Sequence, residues 1–586
     1  MLNGYPLNAA PLNTPGGATT PTEPEGPVVI LPPETPGPGM PAAGFAYRWG
    51  VSLLMGGQQA AARLTGRLEI DREEGAAAVA TFTLYYPPGT EVPADLGGAP
   101  VFIDFISETG GQSVQARRYT GIAIEPSWDV VNRVMTITCS DNLQWRVEAM
   151  EVEAIDALVG GSWSADVFEA VDGRSRWDYA GERLSTQPAS LDIGVEGDLR
   201  RTSWYAGQPA YEFGPGSTLY QTVNVELAQA NSATNRVPLD VEYRYSRLWQ
   251  RHDLYSWEHP GTGGLEGLGG FCHWRPQSSD LPDVDMLEQA TSSAGMKTLA
   301  GAEYNRLPPS SGDPCGTGQG WTNVHPDLLL SATWTGARRW VQTITERYAI
   351  VLATEKGLGD TRGQIISRQS ASLQIEDARA ENWESDEFDS GEHGATDLRD
   401  IDRRDEVFAV SLSRAAVAVV GAHRGTTVTW QVPTPMGIGC DLAHTLKLSD
   451  QVRAAGKVRR IVDTYDFDAG TAITSLSIAL MRGGGESDAL LPPDAPEVDV
   501  PESEFTQAAL ASQLGMRNES PLYNDELDGF AGNYDDRDDD INPSLQEFPR
   551  RFTVTAPEIP AELRDERKVD VDLVIRIGIP NDLLVL

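Results

Sequence analysis

The chain has 586 residues, 58 of them Gly and 39 Pro, and Lys+Arg 46 against Asp+Glu 85 give a formal net charge of -39. That length exceeds a single core and suggests three or four domains at roughly 150 residues each, while the charge excludes a surface that grips nucleic acid phosphates. No run of about 18 apolar residues is present to cross a membrane, and the Gly, Pro and aromatic content favours short strands and turns, so the expected class is mainly β, a β-rich multidomain chain.

Residues 1–43 read as an extended arm. Leu-Asn recurs at Leu2-Asn3, Leu7-Asn8 and Leu12-Asn13, and a Pro/Gly/Thr-rich run extends to Pro41. Such a segment has no core to bury and orders only against a partner. Its opening has neither a basic nor an apolar region, so no secretory leader is expected. Residues 44–150 form the first β domain, with strands expected at Tyr47 to Met55, Leu64 to Ile70, Val79 to Tyr86, Val101 to Ile106, Tyr119 to Ile124 and Val134 to Asp141, and a turn at Pro126 to Arg133. Cys139 lies among strand residues and reads as a small buried hydrophobe.

Residues 151–327 read as an inserted, aromatic-rich domain. Trp163, Trp177, Trp204, Trp249, Trp257 and Trp274 follow no clear period. They fill an irregular core or, less simply, form a glycan-binding face. His252, His259, Cys272, His273 and Cys315 are metal-binding residue types, but their spacing matches no standard site. No metal site, cofactor or catalytic residue is assigned.

Residues 328–485 form the second β domain, beginning with mixed strand-like and helix-like pieces at Arg338 to Ala353. An acidic stretch from Ile375 to Glu406 reads as a solvated or lumen-facing loop, because carboxylates this dense pair by chance and need not mark a glycosidase. Strands are expected at Val407 to Leu412 and Thr426 to Val432, and His444 is assigned a structural role. The domain closes at Gly456 to Met481, where Val458, Ile461 and Val462 precede an acidic Gly-containing turn. Ala472, Thr474, Leu476, Ile478 and Leu480 then share one parity, which specifies a hairpin.

Residues 486–502 are a linker rich in Pro and acid, LLPPDAPEVDVPE from Leu490 on, and 503–586 an acidic C-terminal region. Ser503 and Gly515 would cap a short helix. The acidic run from Asp525 to Asp540 fails as an EF-hand. Val569, Val571, Leu573, Ile575, Ile577 and Ile579 alternate with polar residues in a C-terminal strand that must join a sheet of this chain or of a neighbour.

Several of these residues carry a resemblance. Gly456-Lys457-Val458, Ile461, Asp466 and Gly470-x-Ala472-x-Thr474-x-Leu476-x-Ile478-Ala479 resemble the closing hairpin of tail-tube-like domains in baseplate hub, or tail-tip, proteins of long-tailed, siphovirus-type bacteriophages. The stretch from Asp441 into Val452 is similar to the strand before that hairpin. Tyr119-Thr120-Gly121-Ile122, Asn132-Arg133 and Thr136 to Asp141 resemble the hairpin of the family's first tube-like domain, and LNGYPLNAAPLN the start of other tail proteins.

The resemblance implies two tail-tube-like β-barrel or sandwich domains, 44–150 and 328–485, of one topology and flanking the insert. It implies a structural virion protein at the tail tip or baseplate, made in the host cytoplasm, that joins a six-fold tail tube to three-fold tip proteins as a homotrimer and opens for DNA ejection. Implied partners are the tail tube or distal tail protein, the tape measure protein and fibre or spike proteins, with phage DNA passing unbound and transient contact with the host envelope. On an extracellular particle Cys272 and Cys315 could pair. A receptor- or glycan-binding tip and a tail-associated cell-wall hydrolase are the alternatives, although no G-x-S-x-G, H-E-x-x-H or P-loop motif is present.

Overall fold

The computed structural model describes residues 47–109, 112–162, 173–228, 233–258, 282–313, 316, 318–359, 367–368, 371–376, 383, 393–500, 531–533 and 552–586. The expected arm, the helix from Ser503, most of 377–392 and of the run 525–540, and Trp163, His259, Cys272, His273, Trp274 and Cys315 lie outside them.

The protein is mainly β, with two large sheets. In the larger, Arg453–Asp466 is the central strand. A bulge between Val458 and Arg460 shifts its alternation, so that Val458 and Ile461 both face the core. One edge pairs with Thr471–Leu480, closing the expected hairpin. The other edge is divided: Arg453 to Lys457 pair with Thr445–Ser449, and Arg460 to Asp466 pair with Leu64–Glu73. One strand thereby joins the two halves of the chain. From Leu64–Glu73 the sheet runs on through Val79–Tyr85, Val134–Ser140, Gln112–Asp129, Pro100–Thr109 and Arg48–Met55, whose inward residues form one core with Tyr465 and Ala472.

The second sheet is built on a ribbon. Thr234–Glu258 and Leu329–Ala353 pair antiparallel from Arg236 opposite Ala353 to Glu258 opposite Ser331. One end of the ribbon, with Leu239, Tyr243, Ile350 and Leu352, packs against the helix Ile401–Ala422. The other end, with Tyr255, Trp257 and Trp334, packs against the helix Val284–Ser293. Between them Trp249 and Trp340 stack with centroids 5.8 Å apart. The C-terminal strand, Arg567–Arg576, adds in parallel to Ile344–Ala353, so it completes a sheet of this chain.

Several expectations are corrected. Val407 to Leu412 is not a strand but part of the helix Ile401–Ala422. Buried Val407, Phe408, Ser411, Leu412, Ala415, Ala416 and Val419 recur every three or four residues, and the Asp400 carboxylate caps the start by accepting from Arg403 N at 3.0 Å. Arg338 to Ala353 is strand throughout. The turn expected from Pro126 is confined to 130–133, where Asp129 accepts from Val131 N and Asn132 N. The boundary at 327/328 cuts through the ribbon, whose two strands come from opposite sides of it.

The expected likeness of 45–150 and 328–483 in topology is not seen either. The first segment lays its strands side by side in one sheet, whereas the second sends Leu329–Ala353 to one sheet and Thr426–Leu480 to the other, with the long helix between. The acidic stretch is not a single solvated loop, since Ala371–Glu376 and Gly394–Leu398 are strands beside Thr234–Glu258. The linker 486–500 has neither helix nor strand but is packed down, with Leu490 and Val498 against the core under the long helix.

Candidate functional site

The central strand carries the site. Ile461, Asp463 and Tyr465 share its inward parity, so a carboxylate is set into an apolar face and is fully buried. A buried carboxylate persists only if its oxygens are occupied. Arg118 from Gln112–Asp129 supplies a fork, with Nε to Asp463 Oδ2 at 3.0 Å and Nη2 to Oδ1 at 3.0 Å, and Thr474 Oγ1 donates at 2.6 Å. Arg118 Nη1 donates to Ile438 O at 2.6 Å. Burial works against the Arg118 charge, but Asp463 outweighs it and holds the guanidinium protonated.

Arg72, at the same parity as Leu68 and Ile70, extends the network. It lies 3.7 Å from Asp463 and 3.5 Å from Asp441 and makes no side-chain hydrogen bond among the described residues. Burial, and then Arg118 beside it, lower its proton affinity. Asp441 accepts two bonds from Arg200, at 2.7 and 2.9 Å. Burial alone would raise its carboxyl, but Arg200 and Arg72 hold it well below the usual range. Arg200 Nε also reaches Asp192 at 2.8 Å. At the far end Glu74 pairs with Arg424 at 2.7 Å, and buried Lys457 is pulled down to about 8, chiefly by desolvation.

Strands from 64–73, 112–129, 189–203 and 453–466 thus meet in one ionic junction. Its chemistry is positional. Every carboxylate faces a guanidinium, and the neighbouring Cys440 thiol is pushed up to about 12 by burial, far from a nucleophile. Cys139 is likewise buried and pushed up to about 12. His444 Nδ1 accepts from Asp441 N at 3.2 Å, holding the turn that presents Asp441.

A second ionic centre lies under the long helix. Glu346 meets Arg399 at 2.9 Å and Arg404 at 3.4 Å, and accepts from the Tyr348 hydroxyl at 2.5 Å. Arg247 pairs with Asp397 at 2.6 Å. The tryptophans expected as core or glycan face divide: Trp249 and Trp257 are buried, whereas Trp177 and Trp204 line an open cleft of about 300 Å³ with Leu184, Leu191 and Val417. Its polar lining side chains besides tryptophan are Ser185 and Ser190, and Ser190 already accepts from Trp204 Nε1 at 2.7 Å. Among the described residues no group of three or more His, Cys, Asp or Glu side chains is placed to hold a metal ion.

Asp463, Arg72, Asp441 and Arg200 were not singled out from sequence. A signal was present for Arg72 and Asp463, each a charge on the apolar parity of a strand, but their partners were not readable, since Arg118 and Asp463 are 345 residues apart.

No protein-family model matches the chain, and neither does any curated protein. Among solved structures it is similar to phage tail proteins. A tail protein from Neisseria meningitidis MC58 matches at 9% identity and TM-score 0.34, over 74% of this chain and 96% of that one. The 43 kDa tail protein of prophage MuSo2 from Shewanella oneidensis matches at 8% and 0.33, over 73% and 96%. The Francisella PdpA-VgrG complex matches at 9% and 0.29, over 78% and 60%.

Proposed function

We propose that the chain is a structural hub of a bacteriophage tail tip or baseplate, assembled as a trimer between the six-fold tail tube and three-fold tip proteins. The observation that supports it most is the central hairpin. The residues that resemble the hub family's closing hairpin include those of the strand shared by both halves of the chain, whose other edge pairs with Leu64–Glu73 of the segment that holds the second resemblance. In a hub, two β units per subunit in a trimer offer six surfaces to the tube, and their mutual angle must be fixed. A buried network of facing charges at their seam serves that purpose, because a partly rotated seam would strand carboxylates such as Asp463 from their guanidinium partners.

Two β units per subunit belong to this reading, the second drawing in Thr234–Glu258 from before residue 328, as do the tail tube or distal tail protein, tape measure protein and fibre or spike partners. DNA passes without specific binding, as the net charge of -39 favours. The role is mechanical rather than enzymatic. The deciding measurement is the mass of the purified assembly: a subunit number that is a multiple of three is expected, and any other number removes the hub. A peptidoglycan zymogram with the same protein should show no cleared band.

A further inference from the structure

Residues 484–500 form a strap against the second sheet: at its start the Ser487 and Asp488 side chains accept from Gly578 N and Arg576, and from Pro493 on it is held through its carbonyls. Arg404 Nη2 donates to Pro493 O at 2.8 Å, Arg247 donates to Val498 O at 3.0 Å and Asp499 O at 3.2 Å, and Arg567 Nη1 donates to Asp499 O at 2.9 Å. Arg247 and Arg404 are each 1% exposed, so these donors are built into the groove. Leu490 and Val498 supply the apolar contacts. A groove made of donors and apolar surface suits a proline-rich ligand, whose prolines offer carbonyls and ask for no acceptor.

The strap sequence Leu490-Leu491-Pro492-Pro493-Asp494-Ala495-Pro496 has a near copy in the N-terminal arm, Ile30-Leu31-Pro32-Pro33-Glu34-Thr35-Pro36. The Leu and the three Pro are identical, and the other positions are Leu/Ile, Asp/Glu and Ala/Thr. In the strap Leu490, Pro492, Pro493, Ala495 and Pro496 are half-buried, whereas Leu491 and Asp494 are exposed. The arm keeps an apolar residue, proline or threonine at every inward position, and Leu31 and an acid, Glu34, at the two outward ones.

We propose that residues 30–36 of the arm are a second ligand for this groove, and that the arm of one copy replaces the strap of its neighbour on assembly. In an isolated chain the strap follows the central hairpin after the short Gly483–Gly485 link, so its effective concentration is of millimolar order and it holds the groove. When copies stand side by side the arm is tethered too, and the two motifs compete on comparable terms. The inference does not depend on the tail reading; it needs only an oligomer.

The test uses a fluorescent peptide of residues 26–38 and the full chain. The Leu490→Asp chain, with its strap loosened, should bind the peptide roughly tenfold more tightly than the unaltered chain, and a peptide carrying Ile30→Asp and Pro33→Gly should not bind. Because Leu490→Asp could also disturb folding, hydrogen exchange on the unaltered chain is the second measurement. Excess peptide should speed exchange at Ser487 to Val500 and leave Ile401–Ala422 unchanged. Equal weak binding by both chains, or binding that leaves strap exchange untouched, overturns the proposal. A photocrosslinker at Thr35 should join copies in the assembly; links only within a copy overturn the exchange between neighbours.

Discussion

The ionic junction and the strap groove use the same guanidinium chemistry to opposite ends. At the junction, Arg118 and Arg200 each present a fork to a carboxylate, Asp463 on the central strand and Asp441 in the turn held by His444. Under the long helix, Arg404 and Arg247 divide their donors between a carboxylate and the carbonyls of a segment with no secondary structure. Charge against charge on fixed strands is an all-or-none arrangement, since removing either ion strands the other in a dry interior. A carbonyl that leaves its arginine is rehydrated, and the arginine keeps its carboxylate. The first arrangement suits a seam that must not move, the second a segment that can be exchanged.

The sharpest way to break this contrast is Asp463→Ala, which leaves buried Arg118 without its carboxylate and Arg72 with Asp441 alone. We expect a loss of about 3–5 kcal/mol in urea unfolding, and a loss below 1 kcal/mol would mean that the seam is not held by charge. Lys457→Met comes next. The unfolded state keeps this proton up to about 10.5 and the folded state releases it near 8, so between those values the unfolded state binds more protons and stability rises with pH. The rise should amount to roughly 3 kcal/mol and vanish in the variant, as pH-dependent melting would show.

Leu490→Ser should cost about 1 kcal/mol yet open 484–500 to proteolysis while the central hairpin keeps its exchange protection. If both regions loosen together, strap and seam are one cooperative unit and the contrast fails. The smallest effect is expected for Arg576→Ala, which removes the surface pair with Asp488 at 2.8 Å. Melting should be unchanged and faster exchange confined to Ser487 and Asp488.

Much of the architecture was legible because strand alternation is local. Ala472 to Leu480 and Val569 to Ile575 announce their pleat residue by residue. The Val407 to Leu412 error has a local cause as well: V-F-A-V-S-L is a short apolar run that either period accommodates, and the cap at Asp400 lay inside a stretch read as acidic loop. The ribbon was missed for a different reason. Arg247, Gln250, Arg251 and Asp253 are buried charges and amides that break the apolar signal of Thr234–Glu258, and only the partner strand explains them. The network of Asp463 was half legible, as charges on the inward faces, but the pairing depends on topology that no window of residues contains.

The ribbon also has a mechanical consequence. Two strands of 25 residues run about 80 Å end to end at roughly 3.3 Å per residue, and one antiparallel ladder links the core under one helix to the core under the other. Tension along that axis loads its hydrogen bonds in shear, all at once, rather than peeling them one by one. Slippage by a single residue would turn outward either Tyr243 and Tyr255 or Trp334, according to which strand moves. A pull or twist delivered to one core therefore reaches the other as a rigid displacement, with no creep in between.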